Sequence, residues 1–249
     1  PAFNNCELVA RIENKKLIVE TLAADKGRGR VSVNGVLQFD PNSVDDSRLE
    51  ISMQEAAVIV PAPVIKSIDT LISGSLFITG RQRPFKMTGD LELIKARANR
   101  DFDVRREILN AIQRKEFKSQ IAPREPFFDF DLNIHANKSL TVVNRNLQAT
   151  LSTSLNVTGT DVDPRVTGQM EFDRGKFIYK RDFNVTQGII TFDDPVRPDP
   201  RLDILGQSDV DSYRVYVAIT GKASDPRVDL SVDPPTGPNG LPLSKVDIL

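Results

Sequence analysis

The sequence predicts an all-β protein of roughly a dozen antiparallel strands, each with one apolar and one polar face. Three observations predict it. Apolar and polar residues alternate with a period of two along most of the chain, turn-forming residues lie between the alternating stretches, and only one stretch has a clear helical period. Period two places successive side chains on opposite faces of a strand. Strands of buried parallel sheets read instead as unbroken apolar runs, so the alternation points to antiparallel pairing with one solvated face.

Taken in order, Val31, Val33, Leu37 and Phe39 alternate first, with NG at 34–35 and DPNS at 40–43 read as turns. Leu49, Ile51 and Met53 follow. The stretch VIKSIDTLI at 64–72 comes after Pro61 and Pro63 and reads as either a turn of helix or the lead into a strand. Phe85, Met87, Leu91 and Leu93 alternate next. The segment DFDVRREILNAIQRKEFK at 101–118 then breaks the pattern: Val104, Ile108, Ala111 and Ile112 recur at helical spacing, Asp103 can cap the start and Pro123 lies beyond the end. A short amphipathic helix near 103–117 is expected there. Alternation resumes at Phe128, Phe130, Leu132 and Ile134.

The clearest strand is LQATLSTSLNVTG, where Leu147, Ala149, Leu151, Leu155 and Val157 face one way and Gln148, Thr150, Ser152, Ser154, Asn156 and Thr158 the other. Val166, Met170 and Phe172 continue the pattern, with DRG at 173–175 and TQG at 186–188 read as turns. Tyr213, Val215, Val217 and Ile219, then Val228, Leu230 and Val232, complete it. DPPTGPNGLPLSK at 233–245 is too rich in Pro and Gly for a sheet interior and is expected to be an extended tail. No Gly/Ser linker divides the chain, so residues 1–249 read as one elongated domain.

One motif recurs. TGTDVDPRVTG at 158–168 returns as TGKASDPRVDL at 220–230, and TGRQRPFKMTG at 79–89 keeps the opening Thr-Gly and the central Pro. Gly159 and Gly221 free the chain to leave a strand, Asp163 and Asp225 can bond the turn backbone, and Pro164 and Pro226 fix φ and remove a ladder donor. The motif is therefore read as a strand-loop-strand corner rather than as a duplicated active site. Arg165 and Arg227 begin the return strands on the side opposite Val166 and Val228.

Several function classes are disfavoured by what the sequence carries. Lys plus Arg number 33 and Asp plus Glu 34, with signs interspersed, whereas nucleic-acid binding needs a clustered basic face. Lys176, Lys180 and Arg181 form one small basic cluster, read as a solvated strand edge. The sole histidine, His135, falls on the polar side of its strand, which disfavours a catalytic triad. One histidine with one cysteine, Cys6, excludes an ordinary zinc site and any intrachain disulfide. GRGR at 27–30 lacks the rest of a phosphate-binding loop. The acidic pairs Asp129/Asp131, Asp161/Asp163, Asp193/Asp194 and Asp209/Asp211 lack a calcium-loop pattern. No catalytic residue, metal or cofactor is assigned, and no enzyme is expected. No apolar run of about 18 residues occurs. The start PAFNNCELVA is not a signal peptide, and the chain is expected to be part of a longer protein with its targeting segment upstream.

One-sided strands can bury their dry faces against a second sheet, inside a closed barrel or across an open curved groove. Composition alone favours the first two. The absence of Trp and the thin Val, Ile and Leu of most inward positions work against a tight core, and an apolar concavity that side chains do not fill suits an apolar ligand.

The order of features in the C-terminal half resembles the C-terminal domain of the TamB family, the inner-membrane component of the bacterial translocation and assembly module, related to AsmA-like and bridge-like lipid transfer proteins. The positions that carry it are Gly159 and Pro164, Gly168 and Gly175, then Phe183, Gly188, Ile190 and Phe192 in the pattern F-x-V-x-x-G-x-I-x-F. Asp199, Pro200 and Leu202 follow, then Gly221 and Pro226, Pro234 and Pro235, and Asp247, Ile248 and Leu249. It covers 147–249 best; upstream, GRGRVSVNG and SGSLFITG echo it. The resemblance implies a long antiparallel sheet curled into an open apolar groove in the periplasm, with an inner-membrane anchor in an absent N-terminal segment. It further implies phospholipid acyl chains inside the groove, carried between inner and outer membranes, and an outer-membrane Omp85-type barrel partner docking through a C-terminal segment mostly missing here. The lining would be Leu147, Leu151, Leu155, Val157, Val166, Met170, Phe172, Val215, Val217, Ile219, Val228 and Leu230. The alternative is a scaffold that captures outer-membrane protein strands by β-augmentation without moving lipid.

Overall fold

The computed structural model describes residues 3–38, 46–60, 68–98, 125–143, 147–179, 181–196 and 199–236. These form thirteen strands: β1 (Phe3–Glu13), β2 (Lys16–Lys26), β3 (Gly29–Gln38), β4 (Ser47–Val60), β5 (Ile68–Gly80), β6 (Phe85–Ala98), β7 (Phe128–Val143), β8 (Leu147–Thr160), β9 (Pro164–Tyr179), β10 (Arg181–Phe192), β11 (Arg201–Val210), β12 (Tyr213–Lys222) and β13 (Asp225–Asp233). They hydrogen-bond in chain order into one sheet whose first and last strands are not paired with each other, so it is open and not a barrel. The alternating stretches in the sequence fall in these strands, except that Phe39 lies outside the described residues. Of the ambiguous 64–72 segment, residues 68–72 belong to β5, which begins at Ile68, and residues 64–67 lie outside the described residues. The expected helix near 103–117 and most of the 233–245 tail lie outside the described residues.

One junction departs from the antiparallel expectation: β6 and β7 run parallel, Phe85 opposite Phe128 and Leu91 opposite Ile134. A parallel pair needs a crossover rather than a hairpin, and the long stretch between Ala98 and Phe128 supplies it. Alternation is the same for either direction and does not reveal it. Across this seam the outer face is laced by amides: Asn156 donates to Asn133 at 3.1 Å, and Asn133 donates to Asp90 at 2.9 Å.

Three expected turns are not turns. Asn34-Gly35 lies inside β3, where a side chain on Gly35 would meet the Arg48 carbonyl of β4 at 2.1 Å. DRG at 173–175 lies inside β9 beside a register shift against β8, and TQG at 186–188 lies inside β10 at a shift against β11. Glycine in a strand marks a bulge or a close backbone approach as well as a turn, and here those readings win. The hairpins use other residues, such as Asn14 and Lys15 at φ 49° and 58°. Likewise the cluster around Lys176 is not at a sheet edge: it flanks the β9–β10 hairpin, inside the strand order, where Lys176 pairs with Asp182 at 2.5 Å.

The bulges follow one another across the sheet. Glu55 of β4 and Lys138 of β7 take φ of 46° and 54°, and their freed amides donate to the hydroxyls of Ser73 and Ser152 on the next strand, each at 3.0 Å. Further register shifts occur in β1–β2, β2–β3, β8–β9 and β10–β11. Each bulge bends its strand and raises the local twist, so together they curl a sheet against which the described residues pack no second layer.

The repeated motif is a corner in all three copies, and the corners share one rim of the sheet: β5–β6, β8–β9 and β12–β13. Gly159 pairs with Pro164 as Gly221 pairs with Pro226, and both glycines have positive φ, 80° and 94°. Each corner is also tied to the start of the preceding strand. The Asp161 amide donates to the Phe128 carbonyl at 3.2 Å, and the Ala223 amide to the Pro200 carbonyl at 2.8 Å. Asp161 Oδ1 accepts the amides of Phe127 and Phe128, Asp199 accepts the Ser224 amide and hydroxyl, and Arg81 reaches Asp46 at 2.8 Å. The corners are thus rivets between neighbouring hairpins.

Candidate functional site

The described residues form one sheet, and side chains on one of its faces pack on each other along the curl. Two apolar clusters result. Ala96, Ala136, Leu140, Val142, Ala149 and Leu151 form the first, backed by Leu93, Leu147, Met170 and Phe172. Phe183, Val215 and Val217 form the second, backed by Phe177, Val210, Ile219, Leu230 and Val232. Both flank the line of bulges. Toward the rim of corners the same face opens: Leu155, Val157, Val166 and Ile219 are half-buried and Val228 is exposed.

Register shows which residues share this face. Leu151 lies opposite Leu140 and Phe172, Leu155 opposite Ile134 and Gly168, and Val157 opposite Leu132 and Val166. Leu147 faces Phe177, and Met170 faces Thr153. Val217 lies between Gly206 and Leu230, Ile219 between Ile204 and Val228, and Val215 opposite Val232. The twelve residues singled out in the sequence therefore lie on one continuous face. They divide into a buried floor, Leu151, Val215 and Val217, and an accessible slope formed by the rest.

The inward ladder positions of β8, β12 and β13 carry no charge. Their buried polar residue, Thr153, donates its hydroxyl to the Gln169 carbonyl at 3.2 Å, and among the described residues no buried side-chain nitrogen or oxygen lacks a partner. The face is dry by composition and satisfied where it is polar.

Phe177 and Phe183 belong to this face and were not singled out from alternation; Phe183 is fully buried. Their rings stack at 5.4 Å. Glycines make room for such rings: a Cβ on Gly188 would lie 2.6 Å from the Phe172 ring, and one on Gly206 2.7 Å from the Phe177 ring. Phe177 reaches Gly206 across the intervening strand, which only a strongly curled sheet allows. Gly188→Ala is expected to force the Phe172 ring aside and cost about 1–3 kcal/mol. A denaturation midpoint equal to the wild type would show that the ring is free to move.

The polar residues considered for chemistry lie elsewhere. His135, Asp129 and Asp131 are exposed on the outer face, His135 between Glu92 and Ser154. Asp161 caps backbone amides, Asp163 faces Arg165 at 3.5 Å, and Asp193 faces Arg201 at 3.3 Å. Asp194 accepts the Val196 amide. Asp209 binds Arg214 at 2.9 Å, and that hydrogen bond raises the Arg214 pKa above its ordinary value. Among the described residues no group of three His, Cys, Asp or Glu is placed to hold a metal, and no helix is long and apolar enough to cross a membrane. Cys6 is exposed on β1.

One open, curled sheet with an apolar inner face and a polar outer face defines the chain as a β-groove protein. It belongs to the TamB family: the model of the TamB C-terminal domain matches residues 20–249, well upstream of the region where the resemblance is plainest to the eye. No curated protein matches the chain. Membership gives it a TamB-like part in outer-membrane protein assembly and translocation. The family is a non-enzymatic, periplasm-spanning component anchored in the inner membrane, and it works with an Omp85-type partner.

Proposed function

We propose that the inner face holds phospholipid acyl chains and that the chain is part of a periplasmic conduit carrying phospholipid between inner and outer membranes. One observation carries the reading: a continuous, uncharged apolar face over whose accessible slope the described residues place no second layer. An acyl chain moved onto such a surface gains roughly 0.8 kcal/mol per buried methylene, so a few methylenes bind without specific polar contacts. The headgroup stays in water at the open rim. No bond is made or broken, in keeping with the placement of the acidic residues and His135 on the outer face or in backbone caps. The supply of phospholipid would in turn support outer-membrane protein assembly.

The chain purified without detergent is expected to carry phospholipid detectable by native mass spectrometry, and to speed lipid exchange between donor and acceptor vesicles. Absence of both would overturn the proposal. A second reading is that the sheet captures outer-membrane protein strands by β-augmentation without moving lipid. In that case the chain pulls down outer-membrane barrel proteins, and neither carries phospholipid nor speeds its exchange.

A further inference from the structure

The three corner segments contain four arginines, and three of them meet aspartates: Arg81 with Asp46 at 2.8 Å, Arg165 with Asp163 at 3.5 Å and Arg227 with Asp229 at 2.7 Å. Arg83 does not. Among the described residues its charge faces no carboxylate; its guanidinium lies 4.1 Å from the centre of the Phe127 ring. That ring heads a string of four. Phe127 lies 5.7 Å from Phe85 and 4.7 Å from Phe128, and Phe128 lies 6.3 Å from Phe130. All four rings are half-buried and Arg83 is exposed.

The string stands at the parallel seam, where β6 and β7 both begin at the rim of corners. Phe128 is opposite Phe85 and Phe130 opposite Met87. Further in, the same face continues through Leu132 and Ile134 to Val157 and Leu155, the accessible slope. Asp161, which lies beside Phe127 and Phe128, accepts their amides at 2.7 and 3.1 Å, so its charge is already engaged with backbone donors. A cation with no counter-charge among the described residues, fixed against an aromatic surface that leads into an apolar slope, has the polarity of an anionic amphiphile in reverse.

We propose that Arg83, with Phe85, Phe127, Phe128 and Phe130, forms a site for an anionic lipid, its phosphate on Arg83 and its chain over the rings. This deepens the proposed function and rests on it: the groove would admit lipids by their chains and prefer those of net negative charge at this rim. Guanidinium is suited to the task, because it stacks on a ring with its face and still presents donors at its edge.

The test titrates the chain calorimetrically with 1-lauroyl lysophosphatidylglycerol and 1-lauroyl lysophosphatidylcholine, both below their micelle-forming concentrations. The wild type is expected to bind the anionic lipid about fivefold to tenfold more tightly, with the preference shrinking as salt rises. Arg83→Gln removes the preference by weakening only the anionic lipid, and Arg83→Lys keeps part of it. Inorganic phosphate at equal concentration does not displace the lipid. Two lipids bound with a preference that Arg83→Gln leaves unchanged would overturn this inference alone. Displacement by inorganic phosphate would assign the site to the free ion instead. If neither lipid binds the wild type, the acyl-chain groove itself fails.

Discussion

Phe183→Ala is expected to destabilise the chain by about 3–5 kcal/mol, the range for removing a fully buried aromatic ring. Phe183 has no exposed surface, stacks on Phe177 and packs against Val215 and Val217. In a two-layer protein the facing sheet could settle into the space left behind. Here the neighbours are fixed by their own ladders on either side, and the described residues place no second sheet above them to move down. The ring of Phe177 also loses its stacking partner, worth about 0.5–1.5 kcal/mol beyond area. Urea unfolding followed by far-ultraviolet circular dichroism measures the effect. A loss below about 1 kcal/mol would mean that the second cluster is not what holds β9 to β12 in their curl.

Leu155→Arg is expected to abolish lipid exchange while the unfolding midpoint moves little. Leu155 is half-buried on the accessible slope, opposite Ile134 and Gly168, so an arginine there can extend its head into water. An acyl chain crossing the position must then lie against a charge, and a charge taken out of water without a partner costs several kcal/mol. Exchange should fall at least tenfold. Arginine is preferable to aspartate because it stays charged, whereas a carboxyl under an acyl chain can take up a proton. Val217 gives the contrast: at 1% exposure it belongs to the floor, and Val217→Arg should unfold the sheet. Normal exchange by a folded Leu155→Arg variant would rule out passage along the slope.

How far the sequence could be read follows from what its periodicities encode. Alternation fixes which residues share a face, so Leu151, Leu155, Val157, Val217 and Leu230 could be placed together before any coordinate was known. It is indifferent to strand direction, and the parallel seam at Phe85 and Phe128 left no mark on it. Glycine carries two meanings. At Gly159 and Gly221, beside Asp-Pro, it marks a corner; at Gly35, Gly175 and Gly188 it marks a bulge or a neighbour pressed close. Only the partner strand tells these apart. Floor and slope were likewise hidden, because which inward residues are covered depends on where the bulges bend the sheet. Arg83 resembled its sister arginines until their aspartates were located.

Because the strands pair in chain order, almost all tertiary structure in this chain joins neighbours in sequence. Such a chain has low contact order and can assemble hairpin by hairpin, each new strand using the last as its template. The exception is the parallel seam, where the growing edge at β6 must wait for the chain from Ala98 to Phe128 to pass before β7 can be added. Bringing together strands so far apart in sequence costs more closure entropy than a tight hairpin does. The seam is therefore the late joint in an otherwise local assembly, and it is closed by the ladder from Phe85 to Ala98, by Ala96 packed with Ala136 and Leu140, and by the amide lacing of Asp90, Asn133 and Asn156.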